Sequence, residues 1–204
     1  MDKPVSLAGT LRNFVWDLRV NRGPRWDNLR AMLLLLEFRF EQYVYRRIGR
    51  AGHPLRPAWY ACRFAGSIYQ WLLCNTNLPG TASIGPGLRL PHPQGITVAG
   101  TADVGAFCTV YQNVSIAWNG FHRAVPGLPR IGDGVLLGAG AIVLGEVTIG
   151  AYVLVGAGTT VTRSVPAYSR VTGPPPTVAP RVPSSAAAVP GSERHLRDPY
   201  SIWR

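Results

Sequence analysis

A chain of 204 residues, 47% of them apolar, is long enough for one domain with a helical appendage and too apolar to be globally disordered. Gly 23 and Pro 18 exclude a plain helix bundle, and Cys62, Cys74 and Cys108, outside any C-x-x-C spacing, exclude a disulfide framework or a cysteine-based zinc module. The charge of +11 is spread along the chain without a basic run interleaved with aromatics, which points to anionic small molecules or a membrane surface rather than nucleic acid.

The first residues, MDKPVSLAGTLRN, hold an acid at position 2 and no apolar run, so no signal peptide is expected. The longest apolar stretch, Ala31 to Leu36, is too short to span a bilayer, and a cytoplasmic protein is the expectation. Residues 1–76 are expected to be helical. From Asp27, a candidate N-cap, apolar residues fall at Leu29, Met32, Leu33, Leu36, Phe40, Tyr43, Val44 and Ile48, in the steps of three and four that mark one helix face. A second helix is predicted from near Pro57 through Trp59, Tyr60, Phe64, Ile68, Leu72 and Leu73. Either this region is a cap packed on the main domain, or its arginines and aromatics make a peripheral, interfacial membrane contact.

Residues 77–173 carry a repeat. Ile131, Leu137, Val143, Ile149, Val155 and Val161 follow one another at intervals of six, each with a small or β-branched residue four places on. Upstream the period recurs in two registers, as Leu78, Ile84, Leu90, Ile96 and as Val98, Val104, Val110, Ile116. Neither a helix nor an alternating strand has period six; a parallel β-helix does, with three six-residue sides per coil and the aliphatic residue stacking on its equivalent one coil later. About four and a half coils are expected. The period skips nine residues after Ile116, so a loop over roughly 122–130 is predicted to interrupt the coil, a common place for function. Residues 174–204, opening on Pro174-Pro175-Pro176, read as a Pro/Ala-rich tail. His53, His92, His122 and His195 show no metal-ligand pairing, so no metal is expected.

The stretches IGPGLRLPHPQGITVAG (84–100), GDGVLLGAGAIVLGEVTIG (132–150) and VGAGTTVTRSVPAYSRVTGPP (155–175) resemble the hexapeptide-repeat acyltransferase superfamily, in its serine acetyltransferase-like branch. The helical layout is closer to short colanic-acid-type sugar O-acetyltransferases. The resemblance implies a mainly β fold, a left-handed parallel β-helix with an N-terminal α-helical region, assembled as a homotrimer with sites between subunits. It implies acetyl-CoA as co-substrate and His92 as the general base that takes a proton from an acceptor hydroxyl. Asn77 stands where the family has an acid that orients this histidine; Asp103 is the other carboxylate considered for that task.

By the same resemblance, the small residues Ala139 and Ala157 border the cofactor groove, and Ala117-Trp118 replaces a glycine pair, Ala117 on the cofactor side and Trp118 toward the acceptor. Arg163 and Arg170 are either contacts for the CoA phosphates or ordinary solvated arginines. His122 is either an acceptor contact or a loop histidine without a role. The charged positions that recognise serine in the family fall on Pro91, Gly127 and Leu128. The expected acceptor is therefore a hydroxyl of a sugar, glycan or other polar metabolite; the alternatives are a serine O-acetyltransferase and a non-catalytic β-helix scaffold.

Overall fold

The computed structural model describes residues 6–21, 26–49, 52–118 and 127–174. The chain divides into Met1–Gly173 and Pro174–Arg204, and the tail beyond Pro174 lies outside the described residues. Three helices come first: α1 (Leu7–Val20), α2 (Trp26–Ile48) and α3 (Arg56–Cys74). Ser6 caps α1 by accepting from Gly9 N–H at 3.1 Å. The second helix begins at Trp26, one residue ahead of the proposed cap Asp27. Proline at its N-terminal turn opens α3, and Asn75 in the left-handed region (φ 46°) closes it.

Twelve short strands then wind into a three-sided coil. Face 1 holds β2 (Thr97–Val98), β5 (Ser115–Ala117), β8 (Ile142–Leu144) and β11 (Thr160–Val161). Face 2 holds β1 (Ser83–Ile84), β3 (Asp103–Val104), β6 (Arg130–Ile131) and β9 (Thr148–Ile149); face 3 holds β4 (Thr109–Val110), β7 (Leu136–Leu137), β10 (Leu154–Val155) and β12 (Arg170–Val171). All pairings are parallel, and bridges at Asn77, Val165 and Arg89 add a fifth rung to faces 1, 2 and 3 respectively. The coil thus makes five turns rather than four and a half.

Core positions follow the six-residue period. On face 1, Leu78, Val98, Ile116, Val143 and Val161 stack inward, all buried. Ile96 departs from the sequence reading. It is buried with Ala102, Cys108 and Val114 in the row two residues ahead of each inward aliphatic, so it partners Val98 and does not continue the series from Leu90. The reason is an insertion: Asn77 pairs with Thr97, a step of 20 residues, whereas Thr97 to Ser115 and Ile142 to Thr160 are steps of 18. The two extra residues lie between Leu90 and Ile96. The larger interruption falls between Ala117 and Arg130, slightly earlier than expected, because Arg130 already pairs with Asp103 in β6. Most of that loop lies outside the described residues.

Glycines follow the inward aliphatic residue because successive coils approach closely there. A Cβ on Gly138 would lie 2.6 Å from the Ala157 nitrogen, inside any tolerable contact. Cys74 and Cys108 are buried, and Cys62 is half-buried. Desolvation lifts the Cys108 thiol to about 11, so it behaves as a small hydrophobe. No helix among the described residues is long and apolar enough to cross a membrane.

Candidate active site

The two-residue insertion builds the corner between faces 3 and 1 in the first coil. It carries Pro91, His92, Pro93, Gln94 and Gly95, and several bonds hold it. Gln94 N–H donates to the His92 carbonyl (2.8 Å), Gly95 N–H to the Cys74 carbonyl (3.1 Å) and Asn113 N–H to the Gln94 carbonyl (2.9 Å). The Thr76 hydroxyl lies 3.3 Å from the Pro93 carbonyl and donates toward it. Gly95 sits at φ +65°, where a Cβ would also strike the Asn113 side chain. His92 is exposed on this tethered loop, its ring centroid 6.4 Å from that of Tyr111.

An open cleft of about 290 Å³ faces His92, lined by Arg30, His92, Pro93, Gln94 and Gln112. Arg30 comes from α2 and is exposed. The two ion pairs among the described residues, Arg39–Asp17 and Arg63–Glu41, leave Arg30 without an acidic partner there. Gln112 Oε1 is buried and has no hydrogen-bond partner among the described residues. Sequence reasoning missed both residues. Gln112 was findable, since it stands 20 residues after His92 at the same corner one coil on; Arg30 reaches the cleft from a helix and leaves no trace in the repeat.

The corner continues as a column. Gly140 N–H donates to the Gln112 carbonyl (2.9 Å) and Gly158 N–H to the Ala139 carbonyl (2.8 Å), so His92, Gln112, Ala139 and Ala157 occupy successive coils along one edge. At about 4.8 Å per coil the column is roughly 14 Å long. Its outer surface past Gln112 is small side chains and backbone, which suits a narrow extended ligand.

Other predicted site residues lie elsewhere. Ala117 ends β5 and Trp118 follows it at the next corner, between faces 1 and 2, where Gly145 N–H donates to the Ala117 carbonyl (3.0 Å). Arg163 is at that corner two coils on, exposed, and Arg170 is exposed in β12 on face 3. Gly127 packs against Glu146, again at the corner between faces 1 and 2. The chain itself therefore does not bring Trp118, Arg163 or Arg170 to His92. His122 lies outside the described residues.

Asn77 is engaged differently from the expectation. Its Oδ1 accepts from Arg63 Nη2 at 2.9 Å, and no hydrogen bond joins it to His92 among the described residues. Arg63 is held in turn by Glu41 Oε2 at 3.2 Å. Asp103 is no substitute, because it sits on face 2 between Ser83 and Arg130. Beside Asn77 a second cleft of about 240 Å³ is lined by Ser67, Trp71, Asn75, Thr76, Asn77 and Thr97. Among the described residues no three His, Cys, Asp or Glu side chains gather as a metal site.

Residues 129–163 match the bacterial transferase hexapeptide (six repeats) family model. Over 97 residues the chain is 44% identical to a serine acetyltransferase of Staphylococcus xylosus, covering 48% of this chain and 44% of that one. It is 36% identical over 104 residues to the serine acetyltransferase of Synechococcus elongatus, covering 51% and 42%. The chain thus spans less than half the length of the curated relatives it matches. Among solved structures, soybean serine acetyltransferase superposes with a TM-score of 0.68 at 28% identity, covering 81% of this chain and 67% of that one. The Neisseria gonorrhoeae enzyme gives 0.68 at 23% identity, covering 89% and 71%. Residues 77–171 fold as a left-handed parallel β-helix built on hexapeptide repeats, and this stretch is similar in sequence to the serine acetyltransferases.

Proposed function

We propose that this chain is a CoA-dependent O-acetyltransferase with His92 as general base. One observation carries this: His92 stands at the head of the column that Gln112, Ala139 and Ala157 continue along one corner. A pantetheine arm laid along that column would bring its thioester to the imidazole. Acetyl-CoA supplies the activated acyl group. His92 would take the proton of the acceptor hydroxyl as that oxygen attacks the acyl carbon, then return it to the departing thiolate. Holding both substrates at one corner removes the need for an acyl-enzyme.

The likeness to serine acetyltransferases favours L-serine as acceptor over the sugar hydroxyl expected from the sequence. What supports a sugar or other polar metabolite is that Pro91, Gly127 and Leu128 stand where that family would place charged serine contacts. We take acetyl transfer to a small polar hydroxyl compound as the conclusion, with serine the first acceptor to assay. A homotrimer belongs to the same proposal, because a neighbouring β-helix would close the open corner and supply the Trp118 and Arg163 edge that the chain holds away from its own His92.

The test is His92→Ala, assayed by thiol release from acetyl-CoA. Turnover should fall by about 10² to 10⁴-fold while acetyl-CoA still binds. A variant that keeps near-normal turnover removes His92 from the chemistry.

A further inference from the structure

The cleft at His92 contains more than a base. Arg30 places a guanidinium there with no acidic partner among the described residues, and Gln112, whose buried Oε1 has no hydrogen-bond partner among them, lines the same cleft. A guanidinium holds carboxylates and phosphates through paired, charge-assisted hydrogen bonds. A buried acceptor without a donor is costly unless a ligand N–H or O–H supplies one. We propose that Arg30 and Gln112 form the acceptor subsite, selecting a hydroxyl compound that also carries a negatively charged carboxylate or phosphate.

The inference rests on the acetyl-transfer proposal for the same cleft. The direction of the column assigns Arg30 to the acceptor and not to the cofactor. A pantetheine arm with its thioester at His92 runs from the first coil toward Ala157, so the CoA phosphates lie at the far end, roughly 14 Å or more away. Arg30 approaches from α2, on the first-coil side. With the thioester at His92, the space between Arg30, Gln112 and the imidazole is left for the acceptor: the anion on Arg30, a donor on Gln112 Oε1 and the reacting hydroxyl on His92. L-Serine satisfies this set through its carboxylate, ammonium and hydroxyl, and so does a uronic acid or sugar phosphate. Arg30 thereby supplies the cation that Gly127 cannot.

Calorimetric titration of the full chain tests the subsite with matched probes: N-acetyl-L-serine against N-acetyl-L-serinamide, glucuronate and glucose 1-phosphate against methyl glucoside. The same probes are then assayed by thiol release. At least one anionic probe should bind, its neutral counterpart about 10-fold or more weaker. Arg30→Gln should remove that difference and raise the acceptor KM without moving acetyl-CoA affinity, and Arg30→Lys should restore part of it. Which anionic probes respond separates carboxylate from phosphate. Equal binding of neutral and anionic probes overturns the proposal, as does failure of all three anionic probes to bind. An Arg30→Gln variant that weakens acetyl-CoA instead also overturns it. Anion binding lost in Arg30→Gln with no thiol released by any probe would retain the subsite and sink acetyl transfer. Rapid turnover indifferent to charge would do the reverse.

Discussion

Glu37 and Glu41 sit one helical turn apart on α2, turned toward α3 and the first coil. Gln70 Nε2 donates to Glu37 Oε2 (2.7 Å) and Arg63 Nη1 to Glu41 Oε2 (3.2 Å). Burial raises the Glu37 carboxyl to about 7, the nearby Glu41 charge adds to the rise, and the Gln70 bond and Arg63 oppose it. The folded state therefore binds a proton on Glu37 between its usual range and pH 7 that the unfolded chain has released. Stability from this group is greatest at low pH and declines as pH rises toward and through 7. Glu37→Gln should melt higher than wild type at pH 8.5, with the gap closing by pH 5; a gap independent of pH would show that Glu37 does not titrate in this window. His92 was legible at this scale from the stretch LPHPQG and the resemblance it carries, although the two-residue insertion that displaces it from the period was not. Arg30, Arg63 and the bond that takes Asn77 were not, since each joins a helix to a coil across a separation that no repeat encodes.

The helices act on the coil as a lid of side chains. The first coil presents a row of backbone groups that a sixth coil would have paired, and each face is met by a polar residue. On face 1, Leu78 N–H donates to Gln70 Oε1 (2.7 Å) and Gln70 Nε2 to the Leu78 carbonyl (3.0 Å). On face 2, Gln42 donates to the Ala82 carbonyl (3.1 Å), and Arg39 to the carbonyls of Ile84 (2.8 Å) and Gly85 (2.5 Å). On face 3, Leu88 N–H donates to Asp17 Oδ1 (2.9 Å), Leu90 N–H to Asn21 Oδ1 (2.9 Å) and Asn21 Nδ2 to the Leu88 carbonyl (2.7 Å). Arg39 is fully buried, and its guanidinium is held by Asp17, Gln42 and those two carbonyls. Asp17→Ala would leave a buried guanidinium without its counter-charge and the Leu88 N–H without an acceptor. It should cost about 3–5 kcal/mol in a denaturant titration; a loss under about 1 kcal/mol would mean that water replaces the carboxylate. This also explains why the sequence resolved α2 and α3 but gave α1 only as part of a helical region. Docking of α1 rests on Asp17 and Asn21 together with Phe14 against the core and Trp16 against Phe107, while Leu7, Leu11 and Val15 stay exposed, so its apolar spacing only partly reports the face it buries.

Across the whole molecule the hexapeptide period made the β-helix legible, since one inward aliphatic per side fixes both the three faces and the parallel pairing. It left unseen how the stack ends, because terminal coils obey the same period as internal ones. In a solenoid each coil leans only on its neighbours, so terminal units ordinarily open first and their amides exchange with solvent fastest. The polar lid over coil 1 reverses that expectation at one end. Leu78, Leu88 and Leu90 amides, although they belong to the outermost rung, should exchange with deuterium about as slowly as the Gly138 amide in the interior, which donates to the Val155 carbonyl (2.8 Å). Asp17→Ala should speed Leu88 selectively, leaving Leu78 on Gln70 unaffected while the protein remains folded. Fast exchange at all three leucines in the wild type would show the lid to be loose. Slow exchange would show that the first coil, latched to three helices, does not behave as a fraying end, so the His92 corner opens no sooner than the interior of the solenoid.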